Sequence, residues 1–342
     1  MIHQGDCLTI LRERFAPESV QCCVTSPPYW GLRDYGVAGQ LGLEPTPAEY
    51  VEKMVAVFRE VRRVLRDDGT LWLNLGDSYY GGKGQNGNSK ARATAAERGY
   101  VQSGGTVQMA TRPQDLPQEG LKVKDLCGIP WRVAFALQAD GWYLRQDIIW
   151  AKPNPMPESV TDRCTKAHEY LFMFAKSERY FYDQEAIKEP MSMSSVERLS
   201  QPNLENQEVS DRVPGKTNGN MKAVGKIDKQ RGHGRRHAGF NDRWDAMEKE
   251  EQCSGMRNKR TVWTIATQPY SEAHFATFPP KLIEPCILAG CPSGGLVLDP
   301  FAGSGTTIQV AQQLGRQGVG IELNPAYITL ADTRTAQTGL AL

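Results

Sequence analysis

Four consecutive residues near the amino terminus, Ser26-Pro27-Pro28-Tyr29, place a hydroxyl, two rigid backbone positions and an aromatic ring side by side. They follow the apolar residues 20–25, which predict a buried strand. Proline fixes φ and removes a backbone donor, and it drives the preceding residue toward extended geometry. This stiff segment, called the proline loop below, can accept hydrogen bonds from an amino group on a flat molecule, which its ring can stack against. The alternative is a rigid turn without a chemical role, because motifs this short also arise by chance.

A second motif lies near the carboxyl terminus, where residues 299–306, called the glycine loop below, follow the apolar residues 296–298. Gly303 and Gly305 allow the backbone to approach a ligand closely. Helical spacing then begins at Thr306 and continues to Leu314, with Gly315 as its expected end. A further strand, 318–321, ends at Glu322. The order of strand, glycine turn, helix, strand and acid is the layout of a nucleoside-binding βαβ unit.

The glycine loop differs from the two best-known phosphate-binding patterns. Thr306 stands where a phosphate-binding loop carries lysine, and Ile308 stands where a dinucleotide fingerprint carries its third glycine. Asp299 would also repel a pyrophosphate group. The predicted ligand is therefore a nucleoside without phosphates, with Glu322 accepting hydrogen bonds from its ribose hydroxyls, and a positive charge on that ligand would suit the site.

Together the two motifs resemble those of the DNA amino-methyltransferases, which transfer a methyl group from S-adenosylmethionine to N4 of cytosine or N6 of adenine. The Ser-Pro-Pro-Tyr form is typical of the N4-cytosine enzymes, whereas the adenine enzymes more often carry Asp or Asn in place of Ser26. The order of the motifs resembles the beta group of this family. The segments 5–8, 166–174 and 276–282 also resemble family segments, so the resemblance covers most of the chain except about 185–260.

The resemblance implies an α/β fold, with a doubly wound, mostly parallel sheet of the Rossmann-like class I methyltransferase type and an inserted target-recognition region. It assigns the Ser26 side chain and the Pro27 carbonyl as acceptors for the amine of a flipped-out cytosine, which stacks on Tyr29. The expected catalytic residues are Ser26, Pro27, Pro28 and Tyr29. The residues expected to bind S-adenosylmethionine are Asp6, Cys7, Thr277, Phe278, Asp299, Pro300, Phe301, Gly303, Ser304, Gly305, Thr306, Glu322, Leu323 and Asn324. No metal is expected.

The chain divides into five predicted segments. Residues 1–80 and 121–185 would form the catalytic half, 81–120 a mobile DNA-contacting loop, 186–261 the target-recognition insertion and 262–342 the cofactor-binding half. The main predicted elements are a helix over 50–65 ended by 67–69, a strand over 70–75, a helix over 129–139, a strand over 143–150, and a strand or hairpin within 165–182.

Charge is unevenly distributed although the formal net charge is only +1. Residues 212–237 hold eight lysines and arginines and a single acid, a pattern suited to phosphate binding. A solvated, glycine-rich loop would have the same composition. The residues expected to bind DNA are Lys226, Lys229, Arg231, Arg235, Arg236 and Arg243.

The remaining composition limits the compartment and the partners. No apolar stretch reaches membrane-spanning length and no signal peptide is recognised, so we expect a cytoplasmic protein without a membrane partner. The eight cysteines form no Cys-x-x-Cys pair and are expected to be buried, reduced thiols. The expected partner is double-stranded DNA, a cognate restriction endonuclease is a candidate partner, and the chain would act as a monomer or homodimer.

Other functions are compatible with parts of this pattern. Carbon-5 cytosine methylation needs a cysteine nucleophile, but Pro285-Cys286 falls in a predicted helix, 281–289, so this reaction is set aside. Adenine N6 methylation stays open because one hydroxyl does not exclude a larger base. Methylation of an RNA or protein amine, and a DNA-binding module without activity, are the remaining alternatives.

Overall fold

The computed structural model describes residues 1–81, 112–199, 255–268 and 278–339. The chain forms two compact units, one comprising Met1–Ala186 with Arg260–Leu342 and the other Ile187–Lys259. The bounds of the second unit lie close to those of the insertion proposed from the sequence, 186–261. Most of that insertion, most of the 81–120 segment and all six basic residues expected to bind DNA lie outside the described residues.

Ten strands and seven α-helices are described. The strands are β1 (Ile2–Gln4), β2 (Val20–Thr25), β3 (Leu65–Leu75), β4 (Tyr143–Ala151), β5 (His168–Ala175), β6 (Glu189–Pro190), β7 (Met256–Arg257), β8 (Val262–Thr264), β9 (Leu296–Asp299) and β10 (Gln317–Glu322). The helices are α1 (Cys7–Arg14), α2 (Pro47–Val64), α3 (Ile129–Ala139), α4 (Met193–Leu199), α5 (Pro280–Gly290), α6 (Thr306–Gln313) and α7 (Pro325–Gly339), and single 3₁₀ turns cover Pro113–Asp115 and Glu185–Ile187.

An eight-stranded sheet organises the first unit, in the order β1-β10-β9-β2-β3-β5-β4-β8. All neighbours in it are parallel except β5, which runs antiparallel to β3 and to β4. Its central strands carry apolar residues on both faces, as strands covered by helices on both sides must. The predicted α/β fold with a mostly parallel sheet is confirmed. In the second unit, β6 and β7 form a separate antiparallel pair.

Helix α2 shows how the local sequence sets one covering layer. Thr46 caps its amino terminus by accepting a hydrogen bond from the Glu49 amide at 3.2 Å, and Pro47 occupies its first turn. Its buried stripe packs in the core and includes Tyr50, Met54, Val57, Phe58 and Val61. These residues recur at the three- and four-residue spacing that predicts a helix over 50–65.

Two boundaries differ from the sequence-based expectation. Helix α2 ends at Val64, and β3 begins at Leu65, so residues 67–69 lie within a strand and do not form a turn after the helix. Leu65 pairs with Val20 and Thr70 with Cys22, so residues 66–69 bulge out of the ladder opposite a single residue of β2, and the Gly69 carbonyl accepts from the Lys176 amide at 3.2 Å. For the 165–182 segment, where a strand or hairpin is expected, the structure has a single strand, β5.

Strand β1 lies beside β10 and not beside β2, although β2 follows it in the chain. Residues 1–80 are therefore divided between two parts of the sheet, and only β2, α2 and β3 form a continuous parallel βαβ unit. The Gly5 amide donates to the Glu322 carbonyl at 2.9 Å, which brings the segment after β1 to the end of β10.

The described cysteines are free thiols. Six of them are buried as expected, but Cys164 is exposed, and Cys253 lies outside the described residues. No helix in the described part of the chain is both long and apolar enough to cross a membrane.

Candidate active site

The proline loop and the glycine loop leave the sheet at neighbouring strand ends. β2 and β9 pair in parallel, with Cys22 opposite Val297 and Cys23 opposite Leu298. At their carboxyl ends the Thr25 hydroxyl donates to Asp299 Oδ1 at 2.6 Å. Ligands of open α/β sheets bind at this edge. The two motifs are therefore adjacent in the fold.

One cavity of about 390 Å³ is lined by both loops. Of the residues expected from the sequence to act in catalysis or cofactor binding, those that line it are Asp6, Cys7, Ser26, Pro27, Pro28, Tyr29, Phe278, Asp299, Pro300, Phe301, Gly303, Ser304, Thr306, Glu322, Leu323 and Asn324. Gly305 lies outside this lining, and Thr277 lies outside the described residues.

Asp299 holds the glycine loop in shape. Its buried carboxylate accepts from the Thr307 hydroxyl at 2.6 Å and from the Phe301 amide at 3.0 Å, besides the bond from Thr25. Burial raises the pKa of Asp299 to about 6, against the opposing effect of these donors. With three donors already bound, Asp299 orders the loop and joins β9 to β2.

Glu322 closes the other side of the glycine loop. Its Oε2 accepts from the Gly303 amide at 2.8 Å and its Oε1 from the Asn324 amide at 2.7 Å. Burial raises the pKa of this carboxyl group. Because a carboxylate has about four acceptor positions, each oxygen can accept one more hydrogen bond from a ligand in the cavity. Gly303 has φ +51°, and an added Cβ there would meet no atom within 4 Å.

Gly305 has a packing role instead. It precedes α6 with φ +78°, and an added Cβ would lie 2.9 Å from Ala331 Cβ in α7. From the same helix, Arg334 donates to the Ser304 hydroxyl at 3.2 Å and to the Thr306 hydroxyl at 2.9 Å. Sequence reasoning missed this arginine, because nothing near the motif indicates that α7 returns to it.

Asp6 and Cys7, both expected to bind the cofactor, already have structural roles in the fold. Asp6 caps α1, with Oδ1 accepting from the amide and the hydroxyl of Thr9, each at 2.9 Å. Burial raises the pKa of Cys7 to about 12, so this thiol stays protonated and packs against the cavity as a small apolar group.

A network of polar side chains surrounds the proline loop. The Tyr29 hydroxyl donates to Glu169 Oε2 at 2.7 Å and lies 2.9 Å from Asn74 Oδ1. The Ser26 hydroxyl lies 3.3 Å from Asn74 Oδ1 and 3.4 Å from the Tyr29 oxygen. Lys152 Nζ forms an ion pair with Glu169 Oε1. Burial, followed by the charge of Glu169, raises the pKa of Tyr29, which therefore remains a hydrogen-bond donor at neutral pH.

The two proline carbonyls of the loop differ. The Pro28 carbonyl accepts a hydrogen bond from the Tyr50 hydroxyl at 2.9 Å. Among the described residues, no donor forms a hydrogen bond to the Pro27 carbonyl. Pro27 therefore suits the expected role of backbone acceptor, whereas Pro28 fixes the loop to α2.

The ring of Tyr29 rests on Gly76 of the segment after β3. An added Cβ at Gly76 would come within 2.5 Å of Tyr29 Cε2, so only glycine leaves room for the ring. Tyr29 is half-buried and lines the cavity. Its stacking on a base remains a prediction.

Several lining residues were not identified as site residues from the sequence. Glu169 falls in the segment 166–174 that resembles a family segment, and Lys152 directly follows β4, a strand-end position at which the sequence could have indicated a site residue. Residues 32–41 fold over the cavity with the Tyr35 amide donating to Gln40 Oε1 at 2.8 Å. The unidentified lining residues include Leu32, Arg33, Tyr35, Val37, Gly39, Gln40, Leu41, Lys152, Glu169 and Tyr327. In the described ranges no three His, Cys, Asp or Glu side chains cluster in a way that could hold a metal ion.

The chain is similar in sequence to known DNA methyltransferases. A family model described as DNA methylase matches residues 20–333. The type II methyltransferase M.Cfr9I of Citrobacter freundii is 45% identical over 97% of this chain and 86% of its own length. M.XycI of Xanthomonas campestris pv. cyanopsidis is 46% identical, also over 97% of this chain and 86% of its own length. For M.SmaI of Serratia marcescens it is 45% over 93% of this chain and 84% of its own length.

Two solved structures share the fold. The PvuII DNA methyltransferase, named as cytosine-N4-specific, superposes with a TM-score of 0.57 over 98% of this chain and 85% of its own, at 18% identity. A protein of Thermus thermophilus named as a DNA modification methylase, solved with S-adenosylmethionine, gives a TM-score of 0.53 at 22% identity. The superposition covers 98% of this chain and 93% of the other chain. At these levels of sequence identity, the two comparisons show a shared fold and nothing about the reaction.

Proposed function

The chain belongs to the DNA methylase family, and from this premise we propose that it methylates the exocyclic N4 of a cytosine in duplex DNA. As a member of this family it uses S-adenosylmethionine, which supplies a methyl group already activated by a sulfonium centre. The observation that carries the proposal is the position of the Ser26 hydroxyl, which lines the same cavity as the glycine loop. One end of the cavity is thus suited to the methyl donor and the other to an amine.

The residues of the cofactor end fit S-adenosylmethionine by their chemistry. Glu322 retains acceptor positions for ribose hydroxyls, and Phe278, Phe301 and Leu323 provide apolar surface. No lysine or arginine occurs within the glycine loop itself, which suits a ligand without phosphates and with a positive charge. The volume of about 390 Å³ lies in the range of ordinary small-molecule sites.

The proline loop would make the amine reactive. The lone pair of an exocyclic amine is delocalised into the base, which weakens it as a nucleophile. Ser26 Oγ directs its own proton to the network behind it, so its lone pairs can accept one N–H, and the Pro27 carbonyl can accept the other. Two such bonds favour a tetrahedral nitrogen and free the lone pair. Stacking on Tyr29 would contribute about 1–3 kcal/mol.

Access to this cavity requires an extruded base. The proline loop is half-buried at the strand ends, and a base that stays within a duplex cannot reach such a pocket. We therefore infer that the target cytosine is flipped, at a cost of a few kcal/mol. Phosphate contacts from Lys226, Lys229, Arg231, Arg235, Arg236 and Arg243 would offset this cost, and side chains of the 186–261 insertion would read the sequence.

The relatives support a further part of the proposal. Three proteins that are 45–46% identical to this chain are type II methyltransferases. We infer that this chain also acts in a restriction–modification setting, where its methylation would protect host DNA from an endonuclease of the same specificity.

The identity of the methylated base is the decisive test. DNA from cells expressing the chain is digested to nucleosides and examined by mass spectrometry, with the Ser26→Ala variant as control. We expect N4-methylcytosine in the wild-type sample and almost none in the control. N6-methyladenine in its place would overturn the choice of cytosine, and no modified nucleoside in duplex DNA would overturn the proposal.

The DNA contacts can be tested separately by salt dependence. Each phosphate contact contributes about 0.9 to the slope of log K against log salt. Neutralising Lys226, Lys229, Arg231, Arg235 and Arg236 should therefore lower the slope by up to about 4.5. Neutralising Arg12, Arg59 and Lys122, which form surface ion pairs, should leave it unchanged. An unchanged slope in the first variant would assign the phosphate contacts to another surface.

A further inference from the structure

A partly buried ion pair stands at the amine end of the cavity, and the reaction as outlined above does not use it. Lys152 and Glu169 both line the cavity, and their side chains are only 18% and 17% exposed. Lys152 Nζ also lies 4.3 Å from the centre of the Trp150 ring. Partly buried charges of this kind are costly unless they are paired, so a pair facing a ligand cavity often has a role there.

Glu169 is joined to Ser26 through Tyr29. The Tyr29 hydroxyl donates to Glu169 Oε2 at 2.7 Å, and Ser26 Oγ lies 3.4 Å from the Tyr29 oxygen. Asn74 fixes this arrangement, because its Nδ2 donates to the Tyr170 carbonyl at 3.0 Å and thereby turns Oδ1 toward Ser26 and Tyr29. Three oxygen atoms thus form a hydrogen-bonded path that leads away from the amine site: Ser26 Oγ, the Tyr29 hydroxyl oxygen and Glu169 Oε2.

Methyl transfer to an amine leaves the nitrogen with a positive charge and one proton too many. Neither the Ser26 hydroxyl nor the Pro27 carbonyl is basic enough to keep that proton. Along this path, the Glu169 carboxylate is the side chain that can hold the proton, and Lys152 lies beside it as its ion-pair partner.

We propose that Glu169, paired with Lys152, accepts the proton that the methylated amine releases, by way of Ser26 and Tyr29. The N–H bond breaks with its electron pair left on nitrogen, and Ser26 Oγ takes that proton. Ser26 passes its own proton to the Tyr29 oxygen, and Tyr29 passes its proton to Glu169 Oε2. The nitrogen ends neutral, both hydroxyls are restored, and Glu169 ends as a carboxylic acid that later releases the proton to solvent.

This inference rests on amine methylation as proposed above but not on the choice of base. Glu169→Gln keeps an acceptor for the Tyr29 hydroxyl and removes the proton acceptor. We expect kcat to fall by roughly 10²–10⁴-fold, the usual range for general acid–base groups, with KM for DNA and the affinity for S-adenosylmethionine within about twofold. Glu169→Asp should recover part of the rate. The control is Glu158→Gln, which removes an acid that is ion-paired with Arg163 outside the cavity and should leave kcat unchanged.

A double variant distinguishes a relay from separate structural effects. Tyr29→Phe keeps the ring and removes the hydroxyl, so it should lower kcat as Glu169→Gln does. Combining the two should lower kcat no further, because both break the same path, whereas independent effects would multiply. A kcat for Glu169→Gln within twofold of wild type, or multiplying losses in the double variant, would overturn the proposal. If wild type makes N6-methyladenine, only the proposed base fails, and the same ratios still test Glu169.

Discussion

The glycine loop and the proline loop leave neighbouring strands, yet their polar groups find partners at very different distances along the chain. The Asp299 and Glu322 carboxylates bind donors from Phe301, Thr307, Gly303 and Asn324, which lie between 2 and 19 positions away. Tyr29 instead donates to Glu169, which is 140 positions away on β5. The bond from Thr25 to Asp299 joins the two strand ends from which the loops leave.

This contrast suggests that the glycine loop serves cofactor binding and the proline loop serves the reaction rate. The glycine loop is a local structure in which each carboxylate both shapes the turn and faces the ligand, so its substitutions should change binding or stability. The proline loop carries few groups of its own and depends on β3, β4 and β5 for the network behind it. Changes there should affect the rate and leave cofactor binding almost intact.

Of the three changes that test this contrast between the loops, the one at Ser26 should have the largest effect. Ser26→Ala removes one of the two acceptors for the amine, so we expect kcat to fall by roughly 10²–10³-fold, as on the loss of one preorganised polar group in other active sites. Affinity for S-adenosylmethionine, measured by calorimetry, should stay within about twofold. Ser19→Ala, just before β2, is the matched control. Wild-type turnover in Ser26→Ala would remove the acceptor role.

The next prediction is that Asp299 makes the free energy of unfolding depend on pH. Its pKa is about 6 in the fold and 3.8 otherwise, so between these values the folded state holds a proton that the unfolded state has lost. The contribution of Asp299 to the free energy of unfolding should therefore fall as pH rises from 4 to 6, by about 3 kcal/mol, and stay constant above that range. Urea denaturation of wild type and Asp299→Asn across pH 4–7 measures the difference. Parallel pH profiles would show that the buried carboxylate does not titrate this way.

A smaller effect is expected at Glu322. Glu322→Gln removes the charge and replaces an acceptor facing a backbone amide with an NH₂ group. Hydrogen bonds to charged groups contribute about 1.5–3 kcal/mol, so the affinity for S-adenosylmethionine should weaken by roughly 10–100-fold, with kcat at saturating cofactor changed little. The exposed Glu119→Gln is the control. If kcat fell as strongly as affinity, the division between the two loops would not hold.

Much of the cofactor end could be predicted because it is local. Strand, glycine turn, helix and acid follow one another within residues 296–322, and hydrophobic periodicity locates each element. The packing of Gly305 on Ala331 and the bonds from Arg334 could not be predicted, because they depend on where α7 lies. The bulge at residues 67–69 could not be predicted for a similar reason, since it depends on the register in which β3 pairs with β2 on either side of it.

The sequence by itself determined the chemistry that the two loops offer: a hydroxyl and carbonyl on a rigid backbone, and a phosphate-free nucleoside turn between strands. Only the tertiary structure decided that these loops share one cavity and that Glu169 and Lys152 stand behind Tyr29. The physical reason is that hydrophobic pattern and turn chemistry act over a few residues. The order of strands in a sheet, in contrast, results from packing the whole core, and it brings residues 140 positions apart into hydrogen-bond contact.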